Sequence, residues 1–144
     1  MIHIRTAEPA DAAAVLKFWE EAAEGTSISD DPDGVRRLIA RDPGALLLAE
    51  EADGDEADGD LVGTVIAGFD GWRCHLYRLA VRPDRRRRGV ATALLSAAEE
   101  RFTALGGRRA DAMVLDDNER GRQAWAAARY APEAQWTRWV KPLV

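Results

Sequence analysis

The chain has 144 residues, a formal net charge of −5, 47% hydrophobic and 31% charged residues, a composition that suits one domain with one substantial core. The negative balance argues against general nucleic-acid binding, and the single cysteine, Cys74, excludes an internal disulfide or a cysteine-cluster metal site. No apolar run approaches the length of a membrane span and no secretory leader is visible, so the expected location is the cytoplasm, with no membrane partner.

Residues 2–7 alternate and predict a strand with His3 at the surface. Pro9 and Asp11 open a predicted helix that places Val15, Leu16, Trp19, Ala22 and Ala23 on one face and stops at Gly25. A polar, turn-rich stretch over 25–34 follows, then a short helix over 35–41 that buries Leu38 and Ile39. Asp31 and its acidic neighbours suit the start of that helix. Asp42-Pro43-Gly44 predicts a turn, and 45–49 a short apolar strand.

Residues 51–55 are repeated as 56–60, Glu-Ala-Asp-Gly-Asp twice over. The ligand order and flanking helices of a calcium loop are missing, so this stretch reads as a mobile, solvated hairpin loop. Residues 61–69 form the returning strand, with Gly63 and Gly68 as bulges or points of close approach.

The stretch from Cys74 to Ala98 organises the rest. An apolar strand through Val81 meets a turn at Pro83-Asp84, four arginines follow, and Gly89 opens a helix in which Val90, Leu94, Ala98, Phe102 and Leu105 recur every three or four positions until Gly106-Gly107. A helix start leaves backbone N–H groups without internal partners, and the macrodipole favours negative charge there. A diphosphate is the expected occupant, since Gly89 and Ala91 leave the main chain open and the arginines attract multiply charged ligands. A P-loop needs a glycine-rich run ending in Lys-Ser/Thr, and the dinucleotide fingerprint needs two more glycines; this run has neither.

Residues 108–115 predict another strand, which makes a parallel strand-helix-strand crossover. A helix from Asp116-Asp117-Asn118 through Ala128 follows. The tail over 135–143 alternates like a closing strand, with Trp136 and Trp139 on opposite faces and a hint of a homodimer contact.

Arg86-Arg87-Arg88-Gly89-Val90-Ala91, preceded by Leu79-Ala80-Val81-Arg82-Pro83, resembles the signature of the GNAT superfamily of acyl-CoA-dependent N-acetyltransferases. Asn118, Gly121, Trp125 and Tyr130 resemble its second signature, with Arg129 where the family carries glycine. The resemblance is good over 61–130 and generic before it. It implies an α/β (α+β) fold of the GNAT type, a mixed twisted sheet of six to seven strands with about four helices in one domain over 1–144. It also implies transfer of an acetyl group from acetyl-CoA to a primary amine of a small molecule or peptide by direct attack, with no metal.

By the same resemblance Arg86, Arg87, Arg88, Gly89, Val90, Ala91 and Thr92 bind the pyrophosphate. Leu79, Ala80 and Val81 hold the thioester and pantetheine, and Asn118 contacts the pantetheine arm. Trp125 stands where many members carry a tyrosine that protonates the departing thiolate, which an indole cannot do; Tyr77 or Tyr130 are substitutes. The position of His75 is one where some members carry a catalytic base, and Tyr77 shares its face, so a relay between them is geometrically possible. A structural role for His75, and core packing for Trp125, stand beside these readings. Asp30, Asp31 and Asp33 are candidates for attracting the amine. Two rival functions remain open: an acyl-CoA sensor that has lost turnover, and a nucleic-acid binder using Arg85, Arg86, Arg87 and Arg88.

Overall fold

The computed structural model describes residues 1–23, 28–52 and 59–144. Runs rich in leucine and β-branched residues form β1 (Ile2–Thr6), β2 (Leu46–Glu51), β3 (Asp60–Phe69) and β4 (Cys74–Val81), and the short run Ala-Asp-Ala adds β5 (Ala110–Ala112). They make one sheet in the order β1-β2-β3-β4-β5, antiparallel except for the β4–β5 pair. The helices are α1 (Ala12–Ala22), α2 (Pro32–Arg41), α3 (Val90–Ala104) and α4 (Glu119–Ala127).

Strand alternation divides the apolar residues between two cores. On one face Leu46, Leu48 and Ala80 meet Val15, Phe18 and Trp19 of α1 and Val35 and Ile39 of α2. On the other, Leu47, Ala49, Val65, Ala67 and Leu76 meet Leu94, Leu95, Ala98 and Phe102 of α3 and Trp125 of α4. Each of the buried Val, Leu, Ile and Phe side chains contributes roughly 1.5–3 kcal/mol. Gly63 lets α3 close on the sheet: a Cβ there would lie 2.7 Å from Val90 Cγ1 and 2.9 Å from Leu94 Cδ1.

Arg5 fastens the first turn of the chain to the sheet. Its guanidinium forms a two-pronged pair with Asp11, 2.9 Å on each side, and also donates to Glu50 of β2. The Arg5 hydrogen bonds to Asp11, and the guanidinium charge behind them, hold the Asp11 carboxyl below the usual carboxylate range.

Several expectations change. The sheet has five strands among the described residues rather than six or seven. No strand forms in the tail, and Trp136 and Trp139 are 73% and 91% exposed there. β5 spans three residues instead of the eight of 108–115. Alternation favours a strand only where a neighbour completes its hydrogen bonds, and the outer edge of β5 has none among the described residues. Helix α2 starts at Pro32 because the Asp31 carboxylate accepts from the Gly34 N–H at 2.6 Å and proline suits the first helical position. Asp31 therefore caps a helix. The predicted stop at Gly25 and most of the repeated acidic loop, 53–58, lie outside the described residues. Among the described residues no helix is long and apolar enough to cross a membrane.

Candidate active site

The β4–β5 ladder ends early. Cys74, His75 and Leu76 pair with Ala110, Asp111 and Ala112, and there β5 stops while β4 runs on to Val81. The β5-facing main chain of residues 77–81 is left without a strand partner among the described residues, at the carboxyl ends of the two parallel strands, the place where open α/β sheets bind ligands in a crevice. Helix α3 follows β4 and helix α4 follows β5, so both helix N-termini belong to this end of the sheet.

A bulge shapes the β4 side. Thr64 pairs with Ala80 but Ile66 with Tyr77, so β4 carries one residue more than β3 across this interval. Arg78 takes up the extra length in a left-handed conformation, φ 51°. The bulge reverses the facing of the strand, so Leu76 lies in the α3 core while Ala80 lies in the α1/α2 core. Leu79 and Val81 pack toward α3. The Arg78 guanidinium pairs with Asp30 and lies over the Trp19 ring, 5.4 Å from its centroid. Asp30 is thus committed to an ion pair with the chain itself.

At the mouth of α3 the arginines divide in two. Arg82 and Arg85 both bind Asp84, and Arg85 also reaches Glu51 at 2.7 Å, which anchors the loop to β2. Arg86, Arg87 and Arg88 make no hydrogen bond or ion pair with any described residue. Arg87 and Gly89 are both left-handed, at φ 65° and 83°. Gly89 occupies the N-cap with no side-chain cap, and the first intrahelical bond is the Ala93 N–H to the Gly89 carbonyl. The preceding amides of the first turn therefore have no intrahelical acceptor. A Cβ on Gly89 would meet nothing within 4 Å, so the space before these donors is open. Val90 anchors the turn in the core, while Thr92 is exposed and Ala91 half-buried.

His75 is the second residue of β4 and lies opposite Asp111 in the β4–β5 ladder. Its Nδ1 lies 2.8 Å from Asp111 Oδ1, and its Nε2 lies 3.8 Å from Asp70 Oδ2. An ionised carboxylate only accepts, so Nδ1–H donates to Asp111, and in the neutral ring Nε2 carries the free lone pair. The side chain keeps 28% of its exposure. Tyr77, first beyond the ladder, has its ring 6.2 Å from that of His75, and burial, then the Asp111 charge, pushes its hydroxyl pKa up. Asp111 had no role in the sequence reading, because its partnership depends on the parallel register that sets it opposite His75.

On α4, the Asn118 carbonyl oxygen accepts from the Gly121 N–H at 3.0 Å and caps the helix. This cap explains Gly121, where a Cβ would lie 2.4 Å from Asn118 Nδ2. The Asn118 amide NH2 makes no hydrogen bond to a described residue. Trp125 is 9% exposed and packs into the α3-side core. Tyr130 donates its hydroxyl to Glu99 at 3.1 Å, and burial together with that carboxylate pushes its pKa well up.

The features together define a mixed α/β protein with an uncapped, arginine-flanked helix end beside the unpaired length of β4, suited to a ligand with an anionic head and an extended polar arm. The chain belongs to the acetyltransferase (GNAT) family, whose sequence profile matches residues 13–128. An acetyltransferase of Pectobacterium atrosepticum is 35% identical over 118 residues, covering 82% of this chain and 79% of that one. The aminoglycoside 6′-N-acetyltransferase AAC(6′)-Ig of Acinetobacter haemolyticus shares the fold at TM-score 0.74 and 18% identity, over 99% of both chains. The PaiA N-acetyltransferase of Thermoplasma acidophilum, in complex with coenzyme A, does so at TM-score 0.73 and 18% identity, over 89% of this chain and 88% of that one.

Proposed function

We propose that the protein transfers the acetyl group of acetyl-CoA to a primary amine of a small molecule or peptide by direct attack. The observation that carries this reading is the coincidence, at one end of the sheet, of a β4 edge and three arginines that pair with no described residue and an uncapped α3 N-terminus. The coenzyme A bound by the Thermoplasma acidophilum protein supports the same cofactor.

Acetyl-CoA supplies the activated acyl group. Arg86, Arg87 and Arg88, with the main chain of Gly89, Val90, Ala91 and Thr92, hold its diphosphate. Leu79, Ala80 and Val81 offer main-chain groups to the pantetheine amides and thioester, as a strand would to its neighbour. Asn118 turns its amide NH2 to the arm, and Trp125 closes the apolar floor beside it. The His75 Nε2, with its ring fixed by Asp111, takes the proton of the attacking amine. The new C–N bond replaces the C–S bond, and the departing thiolate takes a proton from water or from Tyr77. The acceptor is small or a chain terminus and is presented in its neutral form at the His75–Tyr77 edge.

Thermal unfolding tests the reading. Acetyl-CoA raises the melting temperature of the wild-type protein, and Gly89→Glu abolishes the rise by placing a carboxylate before the diphosphate donors. A non-glycine residue at φ 83° is strained by about 1–2 kcal/mol, so the decisive quantity is the ligand-induced shift within each variant. A wild-type protein whose melting is unmoved by millimolar acetyl-CoA overturns the assignment.

A further inference from the structure

Thr64 is a polar side chain buried completely between β3, β4 and α1, at 0% exposure. Its hydroxyl accepts from Trp19 Nε1 at 2.9 Å and donates to the Arg78 carbonyl at 2.9 Å. A hydroxyl has one proton, so the Trp19 donor settles its orientation: with one lone pair taken by indole, the proton points at Arg78.

The consequence falls on the next amide. There is no cis peptide bond among the described residues, so the Arg78 C=O and the Leu79 N–H point in opposite directions. The carbonyl is held by the Thr64 hydroxyl, and the Leu79 N–H therefore points away from that side chain. Neither Arg78 nor Leu79 has a register partner on β3, since the pairing passes from Tyr77 to Ala80 across the bulge. The left-handed Arg78 would be expected to relax at this point without restraint, because a non-glycine residue there is strained. Thr64 supplies a restraint from inside the core.

We propose that Thr64 and Trp19 are positioning residues for acetyl transfer, which hold the Arg78 carbonyl against β3 and so aim the Leu79 N–H into the crevice as the donor to the thioester carbonyl. This inference rests on the acetyl-CoA reading above. Neither side chain touches the reactants. Their effect passes through one peptide plane, and it ends where negative charge grows on the carbonyl oxygen as the amine attacks.

The test follows the Leu79 amide by 1H–15N spectroscopy in the full-length protein, with acetyl-CoA and CoA as paired probes. In the wild-type protein acetyl-CoA moves the Leu79 amide proton downfield and CoA, which lacks the carbonyl, does not. Thr64→Val keeps the shape but loses the hydroxyl, and the acetyl-specific shift disappears; Thr64→Ser restores it. Trp19→Phe, which keeps a ring in the core, weakens the shift and serves where Thr64→Val does not fold. A folded Thr64→Val or Trp19→Phe protein whose Leu79 amide answers acetyl-CoA as the wild type does overturns the inference while leaving the cofactor reading standing. A wild-type protein that binds neither probe overturns both.

Discussion

The Tyr130 N–H donates to the Trp125 carbonyl at 2.9 Å while the two rings meet edge to face, 5.0 Å between centroids. With the Arg129 N–H on the Ala126 carbonyl at 3.0 Å, this is the paired hydrogen-bond closure of a helix end, and its hydrophobic clasp is Trp125 on Tyr130. Helix α3 closes in the same way, Gly107 N–H to the Phe102 carbonyl and Gly106 N–H to that of Thr103. The left-handed position is glycine in α3, at φ 89°, but arginine in α4, at φ 71°. Arg129→Gly is therefore expected to stabilise the protein by about 1 kcal/mol, and Gly106→Ala to destabilise it by about the same. Urea unfolding of both variants checks the opposite signs.

Gly63 and Gly68 lie on the same strand with different neighbours. At Gly63 an added methyl runs into Val90 and Leu94, whereas at Gly68 its nearest contact is Tyr77 Cε2 at 3.5 Å, an ordinary separation. Gly63→Ala is expected to cost about 1–3 kcal/mol through overpacking. Gly68→Ala leaves the unfolding midpoint nearly unchanged, and the comparison separates crowding from the general effect of replacing a strand glycine.

The His75–Asp111 pair predicts non-additive kinetics. His75→Ala lowers the rate of acetyl transfer about a hundredfold, and Asp111→Ala lowers it less, because Asp111 only orients the ring. The double variant is no slower than His75→Ala alone. Steady-state rates for the three variants with one acceptor amine give the comparison, and fully multiplicative losses would remove the coupling.

Asp11 carries a pH signature. The Arg5 hydrogen bond depresses its native pKa below the unfolded value. The pair thus contributes stability above the unfolded carboxylate value near ~3.9, and loses it as pH falls through the native one. Asp11→Asn is expected to cost about 1–2 kcal/mol at neutral pH. That difference shrinks toward zero in acid, which urea titrations at neutral pH and at the acid end measure directly.

The central strand, the α3 helix and its glycine start at Gly89 are legible in the residues because each depends on local pattern: apolar periodicity and a glycine at a helix mouth. Gly63 as a point of close approach was also readable, since its surroundings are otherwise apolar strand. The tail was misread because its alternation has no strand to pair with, and pairing is a property of the fold. The partnership of His75 with Asp111, 36 residues apart, required the β4–β5 register. The bulge at Arg78 escaped for a related reason. Nothing local marks an arginine as left-handed, and the groups that meet it, Thr64 on another strand, Trp19 on a helix and Asp30 before α2, are distant in the chain.

The sulfur of Cys74 lies directly beneath Gly107, where a Cβ would come within 2.3 Å of it, and burial pushes the thiol pKa up. An alkylating reagent reaches that atom only during moments when the end of α3 parts from β4. Labelling kinetics of this lone thiol therefore give the chain a native stopwatch for sub-global opening, readable without an introduced probe. A ligand that braces the same helix from its opposite end should slow it.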